Sequence, residues 1–300
     1  MENNSQKNTS FLLKVSKNRG WLANRFSEFL NLLKMIYFKY PFTPIKVQTL
    51  RLLVYGFIYP FPRIILGERK AYKICQSFLK VNFPTVILPL SPLLKSKVIV
   101  DSLVGFGAYV EIYIYNIYFY ETIKKGMNVV DVGSQMGMYT ILAAEKVGES
   151  GRIITIEPEP ENYKQLLKNI KLNDFRNVIP LNIALTDHEG FEKLYISSSP
   201  GSHSLIFHED KNSYISIPTT TIDKLIEELN IKKIDIIKID AEGAEIPILK
   251  GAEKTLKANP NIKLIIAAEH YPLQAKEVCS FLNKKGFKTK IFKNDIVTNI

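Results

Sequence analysis

The hydrophobic pattern of the chain becomes regular at Met127 and stays regular toward the C-terminus. Short runs rich in Val and Ile alternate there with longer stretches in which apolar positions recur every three or four residues. Short apolar runs are typical of buried strands, and the wider spacing is typical of amphipathic helices. The predicted strands are residues 127–132, 152–157, 178–182, 234–240 and 263–269, and the predicted helices are residues 137–147, 160–171, 221–230, 244–258 and 273–285.

Strands that alternate with helices of this length predict a parallel sheet covered on both faces. Two pairs of segments depart from the alternation. Residues 191–196 and 214–218 alternate like antiparallel strands, and residues 288–292 and 296–300 form a closing pair. The pattern therefore predicts an α/β fold with a doubly wound, Rossmann-like sheet and an antiparallel C-terminal strand pair.

The N-terminal part has a less regular pattern. Residues 11 to about 80 are predicted to be mainly helices, which are broken at Pro41, Pro44, Pro60 and Pro62. Within them, Trp21–Tyr40 carries apolar and basic positions near helical spacing, which suits a packed helix or a membrane interface. We expect a helical extension over residues 1–100 and the main domain over residues 101–300.

Smaller segments complete the N-terminal pattern. Thr85–Leu90 and Lys97–Val100 are predicted strands, and Ala108–Tyr120 is a stretch rich in Tyr and Ile. Apolar stretches here fall short of the roughly 18 uninterrupted residues that a membrane-spanning helix needs. No transmembrane segment is predicted.

Charge distinguishes the two parts of the chain. The net charge of the 300 residues is +11, and residues 1–127 carry 18 Lys and Arg against 6 Asp and Glu, whereas residues 128–300 carry 22 against 23. An excess of positive charge confined to one part of the chain suits an anionic partner. Lysines that are merely solvated and keep the protein soluble would explain it equally well. The two cysteines, Cys75 and Cys279, fit a reducing compartment. We expect a cytoplasmic protein that could contact a membrane through its basic N-terminal part.

The most informative motif follows the first regular strand. Residues 129–139 run Val-Val-Asp-Val-Gly-Ser-Gln-Met-Gly-Met-Tyr, in which Asp131 lies near the strand end and Gly133 and Gly137 bound a turn. Glycines permit a sharp bend and a close approach of a ligand to the backbone. A dinucleotide fingerprint would require Gly where this chain has Gln135, so a nicotinamide dehydrogenase is disfavoured.

Glu157 ends the next predicted strand and precedes Pro158. It lies close to the offset, roughly 20 residues after the glycine turn, at which an acidic residue accepts hydrogen bonds from ribose hydroxyls. Any α/β protein can contain a glycine turn, but a turn combined with this carboxylate favours a nucleotide-like ligand.

A second group of acidic residues follows two later strands. Asp240 and Glu242 come after one strand, and Glu269 and His270 after the next. If these strands lie beside the first, the four side chains could converge on one site, where a carboxylate or imidazole could accept a proton from a hydroxyl. We attribute Glu245 instead to the start of a helix. Oxygen and imidazole ligands could also bind a divalent ion, but their spacing is not diagnostic, so a metal stays unassigned.

The motifs taken together resemble an FkbM-type S-adenosylmethionine-dependent methyltransferase from about Gly107 to Tyr271. The matching pieces are Val130-Asp131-Val132-Gly133 through Gly137, Ile156-Glu157-Pro158 with Glu161-Asn162-Tyr163, Leu166, Asn169, Asn173, Ala184-Leu185, Gly201–Leu205, Thr220-Thr221-Ile222-Asp223, Lys238-Ile239-Asp240-Ala241-Glu242-Gly243-Ala244-Glu245 and Glu269-His270. The Lys-Ile-Asp-x-Glu-Gly-x-Glu motif is far more specific than the glycine turn. The family usually has Ala-Asn where this chain has Ser134-Gln135.

The resemblance implies a seven-stranded methyltransferase sheet, S-adenosyl-L-methionine as donor and transfer to a hydroxyl oxygen of a sugar, glycan or other small molecule. A basic, aromatic N-terminal part would suit a lipid-linked acceptor. Asp240, Glu242, Glu269 and His270 are the expected catalytic residues. The expected donor-binding residues are Asp131, Gly133, Ser134, Gln135, Met136, Gly137, Glu157, Pro158, Asn182 and Ala184.

Two rival functions stay open. The basic N-terminal part suits a nucleic-acid methyltransferase, but Asp240-Ala241-Glu242 stands where such enzymes carry a proline-aromatic motif that grips a base. This residue pattern disfavours nucleic acid as a partner. The other rival is a non-catalytic module that docks on membranes through its N-terminal helices.

Overall fold

The computed structural model describes residues 85–89, 94–114, 116–197, 203–207, 213–292 and 295–298. The chain divides into two compact units, one of residues 1–86 and 101–103, and the other of residues 87–100 and 104–300. The first unit lies almost wholly outside the described residues, as do the helices predicted for residues 11–80. The predicted domain boundary at residue 100 stays a prediction.

The strands are β1 (Val86–Pro89), β2 (Lys97–Val100), β3 (Asn128–Val132), β4 (Arg152–Ile156), β5 (Val178–Leu181), β6 (Ala184–Leu185), β7 (Gly190–Tyr195), β8 (Tyr214–Thr220), β9 (Ile236–Ile239), β10 (Lys263–Ala267), β11 (Thr289–Phe292) and β12 (Asp295–Thr298). The α-helices are α1 (Leu103–Tyr109), α2 (Met138–Val147), α3 (Pro160–Leu172), α4 (Ile222–Glu228), α5 (Glu245–Lys250), α6 (Glu253–Ala258) and α7 (Gln274–Lys284). Within the described ranges, we find no helix with the length and apolarity that a membrane crossing requires.

Seven of the described strands form one sheet in the order β11-β12-β10-β9-β3-β4-β5. β3 pairs in parallel with β4 on one side and with β9 on the other. Because the chain order reverses at β3, the carboxyl ends of these three strands flank the crevice in which open α/β sheets bind ligands. The predicted Rossmann-like sheet is confirmed. So is the antiparallel C-terminal pair, because β12 lies between β10 and β11 and is antiparallel to both.

The core explains why the central strands are so apolar. Val130, Ile154, Ile237 and Leu264 of four neighbouring strands are each no more than 1% exposed and belong to one cluster with Val278 of α7. Strands covered on both faces by helices lose nearly all contact with water, which favours continuous Val and Ile runs over alternation.

One predicted helix is wrong. Residues 244–258 form two helices, α5 and α6, which are separated near Gly251. The carbonyl of Gly251 accepts a hydrogen bond of 2.9 Å from the backbone N–H of Asp223, and a Cβ at Gly251 would lie 2.1 Å from the carbonyl oxygen of Thr186. Helical spacing contains no information about these long-range contacts.

A second, three-stranded sheet has the order β6-β8-β7. The predicted antiparallel pair is β7 with β8, and the two-residue strand β6 joins β8 in parallel, which the sequence did not indicate. The Tyr- and Ile-rich segment is also more structured than predicted. It contains the end of α1 and a π-helical turn over Val110–Ile114. A 3₁₀ turn over Tyr120–Thr122 begins at its last residue.

Candidate active site

A cleft lies at the carboxyl edge of the main sheet, where β3, β4 and β9 end. It encloses about 620 Å³ of space that atoms do not fill, including its open mouth. Its walls include the predicted residues Gly133, Gln135, Glu157, Pro158, Ala184, Asp240 and Glu242, together with Leu185, Leu194, His203 and Leu205. Residues from both acidic groups of the sequence therefore meet at one site.

The turn after β3 passes directly over the end of β9. Gly133 has a φ of +71°, and a Cβ at this position would lie 1.8 Å from the carbonyl oxygen of Asp240. A side chain there would collide with backbone, so the close approach of the two strand ends requires glycine. Gly137 is packed similarly, because its Cβ would lie 2.4 Å from Cδ1 of Leu166.

Glu157 forms the β4 side of the cleft and is only 4% exposed. Its carboxylate accepts hydrogen bonds from the backbone N–H of Gln135 (2.7 Å) and of Glu159 (3.0 Å). Burial raises the pKa of Glu157 to about 7, although these hydrogen bonds act in the opposite direction. The same contacts fix the carboxylate against the glycine turn.

Asn182 supports this side of the cleft without lining it. Its amide nitrogen donates to the carbonyls of Glu157 (2.8 Å) and Pro158 (2.9 Å). Pro158 and Ala184 do line the cleft. The segment after β4 is thereby tied to the segment after β5.

Several predicted donor-binding residues lie behind the glycine turn rather than on the cleft wall. Asp131 is fully buried, and its carboxylate accepts a hydrogen bond of 2.6 Å from Oγ1 of Thr140. The hydroxyl of Ser134 donates to the carbonyl of Ile156 (3.3 Å). The carbonyl of Met136 accepts a bond of 2.7 Å from the amide of Asn169. These side chains and carbonyls hold the turn from behind.

Lys238 supports the glycine turn, a role that our sequence analysis did not assign. It is 2% exposed, and its Nζ lies 3.2 Å from Oδ1 of Asp131 and donates to the carbonyl of Gly133 at 2.8 Å. A buried charge needs such partners, since desolvation is costly. The available signal was a lysine inside the otherwise apolar strand Ile236-Ile237-Lys238-Ile239.

Asp240 lies on the opposite side of the cleft from Glu157, and both of its oxygens have partners. Oδ2 accepts a hydrogen bond of 2.6 Å from the hydroxyl of Tyr118, and Oδ1 lies 3.4 Å from Nε2 of His270. Burial would raise the pKa of Asp240, but the hydrogen bond with His270, the charge of Lys238 and the bond from Tyr118 together lower it to about 2. Asp240 is therefore a firmly ionised carboxylate.

Glu242 has a different electrostatic environment. Nε2 of His270 lies 3.9 Å from its Oε2, beyond hydrogen-bonding distance. Burial and the neighbouring charge of Asp240 raise the pKa of Glu242 to about 7. Its backbone has a φ of +49°, a conformation that is unusual for a residue other than glycine. Strained residues of this kind often belong to functional sites.

His270 lies between the acidic side chains. Its Nδ1 lies 3.3 Å from Oε1 of the fully buried Glu245, which also accepts a bond of 2.9 Å from the backbone N–H of Ala241. Burial would lower the pKa of His270, but Asp240 and the charge of Glu245 raise it to about 9. The ring of His270 thus lies between Glu245 and the carboxylates of Asp240 and Glu242, behind the cleft wall that those two carboxylates form.

Glu269 is exposed, and the cleft walls do not include it. Asp240, Glu242 and His270 each offer a ligand atom within 4.8 Å of the others, a spacing that could hold a divalent cation. Nε2 of His270 lies 3.4 Å from Asp240 and 3.9 Å from Glu242, and the raised pKa of the imidazole favours its charged form beside the two carboxylates.

Comparisons with known proteins give a family match. A family profile described as the methyltransferase FkbM domain matches residues 131–289. Hexuronic acid methyltransferase AglP of Haloferax volcanii is 27% identical over 166 residues, which cover 54% of this chain and 64% of AglP. Methyltransferase sdnD of Sordaria araneosa is 24% identical over 177 residues, which cover 49% of this chain and 68% of sdnD. This chain therefore spans a little under two thirds of the length of AglP.

Among solved structures, methyltransferase FkbM from Methylobacillus flagellatus KT aligns with a TM-score of 0.45 and 14% identity. The alignment covers 65% of this chain and 54% of that protein. A methyltransferase from Aquifex aeolicus, described as SAM-dependent, aligns with a TM-score of 0.40 and 17% identity, covering 64% of this chain and 90% of that one.

Proposed function

This chain belongs to the FkbM methyltransferase family, which uses S-adenosylmethionine as methyl donor, and we propose on that premise that it methylates a hydroxyl oxygen of a sugar, a glycan or another small molecule. Residues 101–300 would form the transferase domain, with residues 1–100 as an extension. One observation carries the proposal: Glu157 and the pair Asp240 and Glu242 line a single cleft on either side of the Gly133 turn.

The cleft residues fit the donor. The turn at Gly133 brings bare backbone to the cleft, which suits the methionine end of the donor. Glu157 would accept hydrogen bonds from the ribose hydroxyls, and Pro158 and Ala184, which line the cleft, would border the adenine. Asn182 holds Pro158 in place. When bound, S-adenosylmethionine supplies an electrophilic methyl group on a positively charged sulfur. The chain must then align the acceptor oxygen and remove its proton.

Glu242 is the better general base of the two carboxylates. A base works best when its pKa lies near the working pH, and the pKa of Glu242 is raised to about 7, whereas that of Asp240 is lowered to about 2. Both oxygens of Asp240 are also engaged, by Tyr118 and His270. Glu242 therefore accepts the hydroxyl proton, and Asp240 orients His270 and the acceptor.

His270 stabilises the ionised form of Glu242 through its positive charge, and Glu245 supports His270 from behind. Glu269 lies at the exposed end of the strand-to-helix connection, where it can contact an acceptor that enters from solvent. In this assignment, the four predicted catalytic residues have separate roles.

The proposal that the acceptor is a sugar or another hydroxyl-bearing small molecule is supported by a relative in the family and by the carboxylates of the cleft. AglP is named a hexuronic acid methyltransferase, which makes a sugar hydroxyl the first acceptor to test. A carboxylate base beside a hydrogen-bonding carboxylate suits a hydroxyl-bearing ring. A lipid-linked acceptor would complement the excess of Lys and Arg in residues 1–127, which also suits peripheral contact with an anionic membrane from a cytoplasmic location.

The test combines donor binding with transfer. Calorimetry should detect binding of S-adenosylmethionine but not of NAD or an oligonucleotide. Transfer of tritiated methyl from the donor should then be measured with glucuronic acid glycosides, sugar nucleotides and lipid-linked sugars as acceptors. Asp240→Asn should bind the donor like the wild type and lose at least about 100-fold in transfer, the usual scale for a disrupted catalytic group.

Failure to bind S-adenosylmethionine would overturn the donor assignment. Methyl transfer to an oligonucleotide but to none of the sugars would show that the acceptor is a nucleic acid instead. Near-normal turnover by Asp240→Asn would remove Asp240 from the mechanism.

A further inference from the structure

The hydroxyl of Ser204 connects two walls of the cleft. Its Oγ donates a hydrogen bond of 2.6 Å to the carbonyl of Glu242 and accepts bonds of 3.0 Å from the backbone N–H groups of Ile206 and Phe207. Ser204 is only 2% exposed, although it is a polar residue in a segment outside the main sheet. A buried hydroxyl that makes three such bonds has a defined orientation.

The backbone of Ser204 is fixed as well. It exchanges two hydrogen bonds with Tyr195 at the end of β7, one of 2.9 Å from the N–H of Tyr195 and one of 3.2 Å in return. The hydroxyl therefore acts from a rigid base, because the second sheet holds the segment that carries it.

The turn that Ser204 contacts is a strained one. Glu242 has a φ of +49° and Gly243 a φ of +105°, so two consecutive residues adopt left-handed conformations. For a residue with a side chain, this conformation is unfavourable and persists only where its surroundings enforce it. The hydrogen bond to the Glu242 carbonyl is one enforcing contact. The ring of Phe207 packs closely against Gly243, since a Cβ added there would lie 2.4 Å from its Cε2.

Both neighbours of Ser204 line the cleft. His203 and Leu205 are wall residues, whereas Ser204 itself points toward the Glu242 turn. The turn that carries Glu242 and this wall of the cleft are therefore joined by the same hydroxyl.

We propose that Ser204 is a positioning residue: its hydroxyl holds the left-handed backbone of Glu242 so that the carboxylate faces the cleft beside Asp240 and His270. This inference rests on the proposed function for its catalytic consequence, because it assumes that Glu242 is the base. Its structural part concerns only the orientation of Glu242 and can be tested without an acceptor.

The first measurement follows the titration of the Glu242 carboxyl by carbon-13 NMR, with Glu242→Gln used to assign its signal. Asp240, Glu245, Glu269 and His270 are the charged groups that act on this carboxyl. In Ser204→Ala we expect its midpoint to fall by about one pH unit or more, because a released side chain turns toward solvent and away from Asp240. An unchanged midpoint would overturn the proposal.

Two further variants separate positioning from general stability. Thr298→Val removes a fully buried hydroxyl remote from the cleft, which accepts a bond of 3.0 Å from the N–H of Leu264. It should lower the melting temperature but leave the Glu242 titration unchanged. Ser204→Cys replaces the hydroxyl by a somewhat larger thiol, which is a weaker donor, and should show a smaller shift than Ser204→Ala. If Ser204→Ala does not fold, an unshifted titration in Ser204→Cys refutes the proposal instead.

The second measurement is kinetic. Ser204→Ala should bind S-adenosylmethionine as the wild type does and lose about 10-fold or more in kcat with little change in KM, since misplacing a catalytic group costs mainly the chemical step. Ser204→Thr, which restores a hydroxyl, should recover part of the loss. If the wild-type protein does not bind the donor, the proposed function fails, whereas the NMR titration still decides the role of Ser204. Full kcat in Ser204→Ala would refute its catalytic consequence.

Discussion

The hydroxyl of Tyr118 donates a hydrogen bond of 2.6 Å to Oδ2 of Asp240, across 122 positions of sequence. Tyr118 is 6% exposed, and its ring packs edge-on against Tyr139 with the ring centroids 5.7 Å apart. Nζ of Lys238 also lies 5.1 Å from the centre of the Tyr118 ring. A tyrosine from the segment before the first regular strand therefore fixes the orientation of a carboxylate in the cleft.

Tyr118→Phe should reduce methyl transfer by about 10-fold or more while leaving donor binding unchanged. A hydrogen bond to a charged group contributes roughly 1.5–3 kcal/mol, and its loss frees one oxygen of Asp240. Steady-state kinetics and calorimetry with S-adenosylmethionine measure the two effects. Tyr163→Phe is the matched control, because the Tyr163 hydroxyl donates to the carbonyl of Pro180 instead (3.2 Å). Equal losses in both variants would argue against a specific role for Tyr118.

Methyl transfer should depend on pH through Glu242. Its pKa is raised to about 7, and the base acts only when ionised, so kcat should rise as the pH increases through 7 and then level off. Glu242→Gln should lose roughly 100-fold or more in kcat and show no such rise. Glu228→Gln, on the exposed side of α4, serves as control. A pH profile that is the same in Glu242→Gln and wild type would exclude Glu242 as the base.

Donor affinity should depend on pH through Glu157. Ribose hydroxyls donate to the ionised carboxylate, so affinity for S-adenosylmethionine should increase as the pH rises through the Glu157 pKa of about 7. Calorimetry at several pH values measures this change. Glu157→Gln should bind S-adenosylmethionine more weakly than the wild type, and its affinity should not increase with pH in this range.

The stability of the free protein should change in the opposite direction. Burial raises the pKa of Glu157 from 4.5 to about 7, so between these values the folded protein holds a proton that the unfolded chain has lost. Stability from this group is therefore lost as the pH rises from about 4.5 to about 7. Thermal melts between pH 4.5 and 7 should show a smaller decrease in melting temperature for Glu157→Gln than for the wild type. An identical decrease in both would contradict the raised pKa of Glu157.

Gly133→Ala should destabilise the protein by more than about 3 kcal/mol, because the new Cβ would lie 1.8 Å from the backbone oxygen of Asp240 and the φ of +71° disfavours a side chain. Chemical denaturation measures the change. Gly107→Ala is the matched control, since nothing lies within 4 Å of its added Cβ and Gly107 belongs to α1. Comparable effects in the two variants would mean that the contact with Asp240 is not responsible.

The sequence by itself determined the architecture and the location of the site. Alternating strand and helix patterns predict the parallel sheet, and the residues that follow β3, β4 and β9 must meet at one edge because parallel strands end on the same side. Gly133, Glu157 and Asp240 could be identified on this basis. These inferences succeed because they depend only on local periodicity and on chain direction.

The tertiary structure decided which side chains enter the cleft and what holds them there. Asp131 and Lys238 lie directly opposite each other on β3 and β9, so they share a face and pair behind the glycine turn instead of lining the cleft. Tyr118 and Ser204 reach Asp240 and Glu242 from segments outside the regular strands and helices that periodicity predicts. Such contacts arise from the packing of elements that are distant in sequence, and local sequence patterns do not predict that packing.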